Sequence, residues 1–252
     1  MKKLNILLGG LALGAAMAFL PLNSVASIIG SPHDFSSTGS SGYSSLGIAT
    51  FGHGGSSYQN PCQVCHIPHA AALPSAANAP LWNHAVATNA TTEYVTYDQA
   101  GSATFNALNL QVMLGSSVAC LSCHDGSIAV NQSYGSSTFT GNGGVATNVP
   151  SWAVVTYDPN TGGFDSGGKY LTRNHPIGVS YPAALTAANA NGSIQLNPVS
   201  GIMNTMLKGP NQTLECASCH DIHQTEGASA SATDSLIVNV NGGALCLTCH
   251  NK

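Results

Sequence analysis

Charged side chains are scarce in this sequence, because Asp, Glu, Lys and Arg together make up only 6% of its 252 residues. This scarcity excludes a solvated coiled coil, a nucleic-acid binder with a basic stripe and a charge-driven disordered tail. Aromatic residues are also few, at 6%, whereas glycine occurs 28 times. Small apolar residues build thin cores, so something other than side chains must fill the interior. With a net charge of −4, the chain has no electrostatic attraction to nucleic acid or to an anionic membrane surface.

The first 26 residues have the organisation of a secretory signal peptide. Two lysines precede an apolar run over residues 6–20, and small residues at 24–26 offer a cleavage site before Ser27. The run is short for a retained membrane anchor, is followed by Pro21 and lacks a basic flank on its far side. We therefore expect an exported chain that starts at Ser27 and has no membrane span. Four bases then remain against ten acids, a formal charge of −6.

The eight cysteines carry the strongest signal. In an exported chain disulfides would be the ordinary expectation, but all eight form C-x-x-C pairs, and a histidine follows each pair directly. The four motifs are Cys62, Cys65 and His66; Cys120, Cys123 and His124; Cys216, Cys219 and His220; and Cys246, Cys249 and His250. This is the attachment motif of c-type haem, in which two thiols form thioethers to a porphyrin and the histidine binds its iron. Zinc sites would leave the regular histidine unexplained, and a thioredoxin-like pair needs one motif rather than four.

Four covalently bound haems change the expected fold. Rigid apolar porphyrins would supply the missing core, so we predict a mostly irregular chain with short helices and few strands around stacked haems, largely unfolded without them. Short helices are expected at the attachment motifs and at residues 183–190, and strands at residues 92–97 and 236–240. Residues 30–57 and 133–168 show neither the 3.6-residue period of a helix nor the two-residue period of a strand, and they are predicted to be loops.

An internal repeat appears when the motifs are aligned on each other. The first and third motifs are followed by a second histidine at the same offset, His69 and His223, whereas the second and fourth are not. The order A-B, A-B predicts two two-haem modules, residues 27–148 with an N-terminal arm and residues 149–252, that meet near residues 144–152. Further segments are shared with a known family: SPHDFS at 31–36, APLWNH at 79–84, CLSCHDGSIAV from Cys120 and NHPIG at 174–178. With the four motifs, they resemble the doubled-CXXCH family of secreted multihaem cytochromes, and most closely its tetrahaem subunits that polymerise into conducting extracellular filaments.

Six histidines outside the motifs compete to be the second axial ligands of four irons. His69 lies three residues after His66, so both project from one side of a helical turn and cannot reach opposite faces of one haem. The same argument applies to His223 after His220, so each doubled motif should bring two haems close together. Restricted backbone beside proline favours His33 and His175, and the family resemblance implies histidines at those two positions. We therefore predict His33, His69, His175 and His223 as distal ligands, with His84 as the next candidate and His53 the weakest. Methionine ligation through Met113, Met203 or Met206 is less favoured because histidine is in surplus.

Iron bound by imidazole on both faces has no open position for a substrate, which favours electron transfer over catalysis. The sequence therefore predicts a non-enzymatic electron-transfer protein outside the cytoplasm, extracellular or periplasmic. The family resemblance implies a homopolymer, in which an arm over residues 27–57 could carry His33 to a haem of the next subunit. The arm could equally fold back on its own chain. A soluble periplasmic tetrahaem shuttle is the alternative, and a multihaem reductase is less favoured.

Overall fold

We describe the fold from a computed structural model. It describes Ile28, His33, Cys62, Val130 and residues 64–66, 81–86, 94–97, 115–128, 153–164, 168–192, 195–202, 206–223 and 243–251, together with the backbone pairing of residues 52–53 and 56–57. The predicted signal peptide, the predicted module boundary near residues 144–152 and the predicted strand at 236–240 lie outside the described residues. Among the helices described, none is long and apolar enough to cross a membrane.

Four short α-helices occur in the described residues. They are α1 (Gly115–His124), α2 (Tyr181–Asn191), α3 (Cys216–Cys219) and α4 (Ala244–Cys249). Helices α1, α3 and α4 carry the second, third and fourth C-x-x-C pairs, as the sequence predicted. The first pair lies on a single turn, in which the backbone N–H of His66 donates to the carbonyl of Cys62 at 2.8 Å. Each motif therefore places its two thiols on one turn of backbone.

Helix α2 contains the predicted alanine-rich helix at residues 183–190, which confirms that prediction. Pro182 lies in its first turn, where a missing N–H costs no hydrogen bond. Gly192 ends it with a φ of 62°, a left-handed conformation that favours glycine, and its N–H donates to the carbonyl of Ala188 at 2.9 Å.

The described strands form three antiparallel pairs of two residues each. They are β1 (Gly52–His53) with β2 (Ser56–Ser57), β3 (Tyr157–Asp158) with β4 (Gly163–Phe164), and β5 (Val179–Ser180) with β6 (Thr213–Leu214). In the segment predicted as a strand at 92–97, the described residues make one isolated bridge, between Val95 and Tyr170.

The hairpin of β3 and β4 corrects the prediction that residues 133–168 form a loop throughout, and the pairing of β1 with β2 corrects the same prediction for residues 30–57. The Asp158 side chain accepts hydrogen bonds from the backbone and side-chain N–H groups of Asn160, at 2.8 and 2.9 Å, and so closes the turn. Gly162 supplies the left-handed residue with a φ of 73°. These turn residues were visible in the sequence, but the strands that they join are too short to produce a period.

Two clusters of buried apolar side chains hold the described elements together. One comprises Tyr94, Val118, Leu121 and Leu171. The other comprises Tyr181, Ile202 and Met206 and includes partly buried residues of α4. The hydroxyl of Tyr181 reaches the carbonyl oxygens of Asn197 and Cys249 at 2.8 and 3.1 Å. The second cluster therefore fixes the fourth motif against α2.

Backbone contacts also join segments on the two sides of the predicted module boundary. Val95 exchanges hydrogen bonds with the Lys169 and Leu171 backbone at 2.7 and 2.9 Å, and Val155 donates to the carbonyl of His124 at 2.8 Å. Helices α1 and α3 pack against each other. The Ser117 hydroxyl at α1 donates a short hydrogen bond to the carboxylate of Glu215, which caps α3. These contacts place the second and third motifs side by side.

Candidate haem sites

The eight cysteines and four histidines of the C-x-x-C-H motifs all lie in the described part of the chain. The eight cysteines are thiols, and no disulfide joins any of them. His220 and His250 follow their helices in extended backbone, with φ angles of −113° and −101°, whereas His124 is the last residue of α1. In the third and fourth motifs the helical turn therefore presents two sulfurs, and the extended residue after it carries the imidazole.

Three of the motif histidines face a histidine from elsewhere in the chain. The ring centroids of His33 and His124 are 6.0 Å apart, those of His66 and His223 are 6.3 Å apart, and those of His175 and His250 are 6.2 Å apart. Each pair combines one motif histidine with one of the four predicted distal ligands. The structure thus brings together His33, His175 and His223 with motif histidines that are far away in sequence.

The separation within these pairs has a chemical meaning. An imidazole nitrogen lies about 2 Å from a transition-metal ion that it binds, and the ring centroid lies about 1 Å behind that nitrogen, so two imidazoles on opposite sides of one ion have centroids about 6 Å apart. All three pairs have this spacing, which is wider than a direct hydrogen bond between the rings requires. The donor sets therefore fit one iron between each pair of imidazoles.

Hydrogen bonds fix the orientation of several of these rings. Because a carbonyl oxygen only accepts, the Nδ1 atoms of His84, His124 and His175 carry the proton and donate to the carbonyls of Ala85, Ala153 and Pro176, at 2.7, 2.8 and 3.2 Å. Protonation at Nδ1 leaves the basic lone pair on Nε2, which is the nitrogen that binds a metal in such an arrangement.

Burial favours the neutral form of two of the histidines. Burial, and then the neighbouring imidazoles of His124, His220 and His223, lower the pKa of His33 to about 4. Burial, followed by His124, also lowers the pKa of His220. A neutral imidazole is the form that binds a metal ion, so both shifts favour the form in which these side chains can act as ligands.

The remaining predicted ligands have different positions. His69 and the side chain of His53 lie outside the described residues, as do Met113 and Met203. His84 is buried two residues after Trp82, whose backbone bridges that of His66 and whose indole contacts the His66 ring edge-on at 6.2 Å. Met206 packs in the cluster around Tyr181.

The sulfur atoms of neighbouring motifs lie close together. The Cys120 thiol donates to the Cys216 sulfur, which lowers the pKa of Cys216 to about 7 and raises that of Cys120 well above its usual value. Burial, and then the proximity of Cys65, raise the pKa of Cys123. Burial, then Cys216 of the same motif and Cys246 of the fourth motif, raise the pKa of Cys219, and Cys219 in turn raises that of Cys249 after burial. The motifs therefore adjoin one another in the order first, second, third, fourth.

Two buried carboxylates beside the motifs were missed by the sequence reasoning. Asp125, directly after His124, accepts hydrogen bonds from the Tyr94 hydroxyl at 2.6 Å and from Ser127 at 2.8 Å. Glu215, directly before Cys216, forms a capping box with Ser218 and bonds to Ser117. Their adjacency to the motifs was the available signal, but their partners come from distant segments.

Comparison with known proteins agrees with this donor set over part of the chain. Residues 209–252, which contain the third and fourth motifs, match the family described as Doubled CXXCH motif. A comparison with curated protein sequences finds no match. The match supports a multihaem protein of the cytochrome c type, and the C-x-x-C-H motifs indicate covalently bound haem c.

Proposed function

We propose that the chain is a tetrahaem electron carrier in which each haem iron is held between two imidazoles. A haem held by the two cysteines and the histidine of each motif would supply one-electron redox chemistry. The observation that carries the proposal is the set of three imidazole pairs with centroids 6.0 to 6.3 Å apart. With both faces of the iron occupied, a site of this kind carries electrons rather than turning over a substrate.

The internal repeat supports a partner for His220, the histidine of the third motif. His223, the second histidine of the third motif, faces His66 of the first motif. The reciprocal arrangement would bring His69, the second histidine of the first motif, to His220. The two doubled motifs would then exchange ligands, and the other two motifs would take His33 and His175. This pairing uses all four predicted distal ligands once each and leaves His84 and His53 as spare histidines.

The order of the motifs supports an electron path through the whole chain. The contact between Cys120 and Cys216 joins the second and third motifs, and the proximity of Cys65 to Cys123 and of Cys219 to Cys249 extends the series in both directions. Thioether sulfurs lie at the porphyrin edge, so close sulfurs imply close edges. The helix pair α1 and α3, fixed by Ser117 and Glu215, would hold the central step of the path at constant distance.

We further propose that the chain is exported and polymerises into a conducting filament, as its resemblance to filament subunits implies. His33 lies against His124 of its own chain. In a filament, the arm of the next copy would supply His33 to the same place, an exchange of identical segments that needs no new contact. The low charge of the chain weakens repulsion between copies. A soluble periplasmic shuttle, with the arm folded back, is the second candidate, which the contact of His33 within one chain favours.

The test of the carrier proposal is the spin state of the purified holoprotein and of single-histidine variants. We expect a mass increase of four haems and only low-spin iron in the wild type. The H175A and H69A variants should each convert one haem of four to high spin, because each loses one axial imidazole. H53A is the matched control and should remain fully low-spin. A high-spin haem in the wild type, or fewer than four haems, would contradict the proposal.

The filament proposal is tested by the H33A variant under the electron microscope. If the arm crosses between copies, this variant should lose filaments and gain one high-spin haem per chain. Monomers in both wild type and variant, with the same high-spin haem in the variant, would instead identify the soluble shuttle. Amino-terminal sequencing of exported protein that starts at Ser27 would test the signal peptide.

A further inference from the structure

The two histidines of the first imidazole pair differ in what restrains them. His66 lies beside Trp82, whereas the His223 side chain is 54% exposed. His223 contacts Asp221 twice: its backbone N–H donates to Oδ1 at 2.9 Å, and its ring Nδ1 lies 3.4 Å from the same oxygen. These two contacts hold the ring beside the Asp221 carboxylate.

The group beside the His223 ring is chemically unlike those at other sites. His84, His124 and His175 donate from Nδ1 to neutral backbone carbonyls, whereas Nδ1 of His223 lies 3.4 Å from an oxygen of a carboxylate. The carboxylate places a negative charge next to the imidazole. A negative charge beside a metal ligand favours the higher oxidation state of the metal.

Among the described residues, Lys208 lies near Asp221. Burial lowers the pKa of Lys208, and the nearby Asp221 carboxylate opposes this shift. In the repeat, the residue after the third motif histidine is Asp221, but the residue after the first is Ile67. The carboxylate is therefore a feature of one of the two doubled motifs.

We propose that Asp221 is a positioning residue that orients His223 toward His66 and lowers the reduction potential of the iron between them. This inference rests on the proposed function, because it assigns that iron to the pair His66 and His223. The negative charge of Asp221, 3.4 Å from the ring Nδ1, favours the oxidised metal.

The test uses the full-length holoprotein carrying D221N. The carboxamide has the shape of the carboxylate and retains an oxygen for the His223 backbone N–H, so the local turn is kept while the charge is lost. We expect one of the four midpoint potentials to rise, so that the ratio of oxidised to reduced iron at a fixed applied potential falls about tenfold for that haem. The low-spin EPR g values of the same haem should also shift, and D221E should restore both readouts.

D125N is the matched control. Asp125 directly follows His124, as Asp221 follows His220, but its carboxylate accepts hydrogen bonds from Tyr94 and Ser127 rather than from a ligand imidazole. Loss of its charge can move a potential, but the EPR g values should stay unchanged. Unchanged potentials and g values in D221N, or equal g-value changes in D125N, would overturn the role of Asp221.

Different results would contradict the pairing of His66 with His223 and the role of Asp221. If the H66A and H223A variants do not alter the same low-spin signal, the pairing in the proposed function is wrong. If both alter that signal but D221N does not, the pairing holds and only the inference about Asp221 is wrong.

Discussion

The second and fourth motifs have nearly the same sequence, CLSCH and CLTCH, yet they lie in different surroundings. Leu121, between the cysteines of the second motif, is 1% exposed and packs with Tyr94, Val118 and Leu171. Leu247, at the same place in the fourth motif, is 50% exposed. The motif therefore specifies attachment of a haem, but the surrounding fold decides whether the attachment helix belongs to the core or to the surface.

We call the second and third motifs inner and the first and fourth outer. The inner motifs pack on each other through α1 and α3, whereas the outer motifs each have an exposed first cysteine, Cys62 and Cys246. If the chain carries electrons, the outer sites are the ones that meet partners, and the inner sites form the fixed centre of the path. Three experiments on variants or conditions test this distinction.

The largest effect is expected from shortening the leucine in each motif. L121A leaves a cavity in the first apolar cluster and should lower the free energy of unfolding by about 2 to 5 kcal/mol. L247A removes a half-exposed side chain and should change it by no more than about 0.5 kcal/mol. Urea unfolding of the two holoproteins, followed by visible absorption, measures both. Equal losses would show that the inner and outer motifs are packed alike.

A smaller effect is expected from acid at the inner sites. Folding lowers the pKa of His33 from 6.5 to about 4, so between these pH values the unfolded chain binds a proton that the folded chain does not. The stability that this contributes is complete above about pH 6.5 and is lost as the pH falls through the window, and the bond to iron proposed for His33 would act in the same direction because a ligating nitrogen cannot also bind a proton. Urea midpoints measured from pH 7 to pH 4 should fall accordingly.

H33Q is the control for this pH dependence. It removes the titrating imidazole, so its midpoints should vary less with pH over the same range than those of the wild type. An equal slope in both proteins would assign the acid sensitivity to other groups.

The smallest of the three effects is expected at the contact that joins the inner motifs. S117A removes the hydroxyl that donates to Glu215 and accepts from the N–H of Cys216 at 3.1 Å. Leaving these buried groups without that partner should cost about 1 to 3 kcal/mol. The control is S200A at an exposed serine, which should stay within about 0.5 kcal/mol of the wild type. If S117A lowers the free energy of unfolding no more than S200A does, Ser117 does not stabilise the contact between the inner motifs.

More of the candidate site than of the fold could be predicted from the sequence. The short helices at Cys120, Cys216 and Cys246 and the alanine-rich helix followed from local patterns. The hairpin of β3 and β4 was missed because two-residue strands are too short to show alternation. The roles of Asp125 and Glu215 were missed because a buried carboxylate is recognised by its partners, and Tyr94 and Ser117 are distant in sequence.

The sequence by itself determined the chemistry of attachment. Two thiols and an imidazole within five consecutive residues are held in reach of one another by the backbone alone, so their spacing is sufficient to identify them. Three contacts could be known only from the folded chain: His223 lies near His66, His175 lies near His250, and the Asp221 carboxylate lies beside the His223 ring. Those juxtapositions depend on how distant segments pack, and packing at long range leaves no period or spacing in the chain.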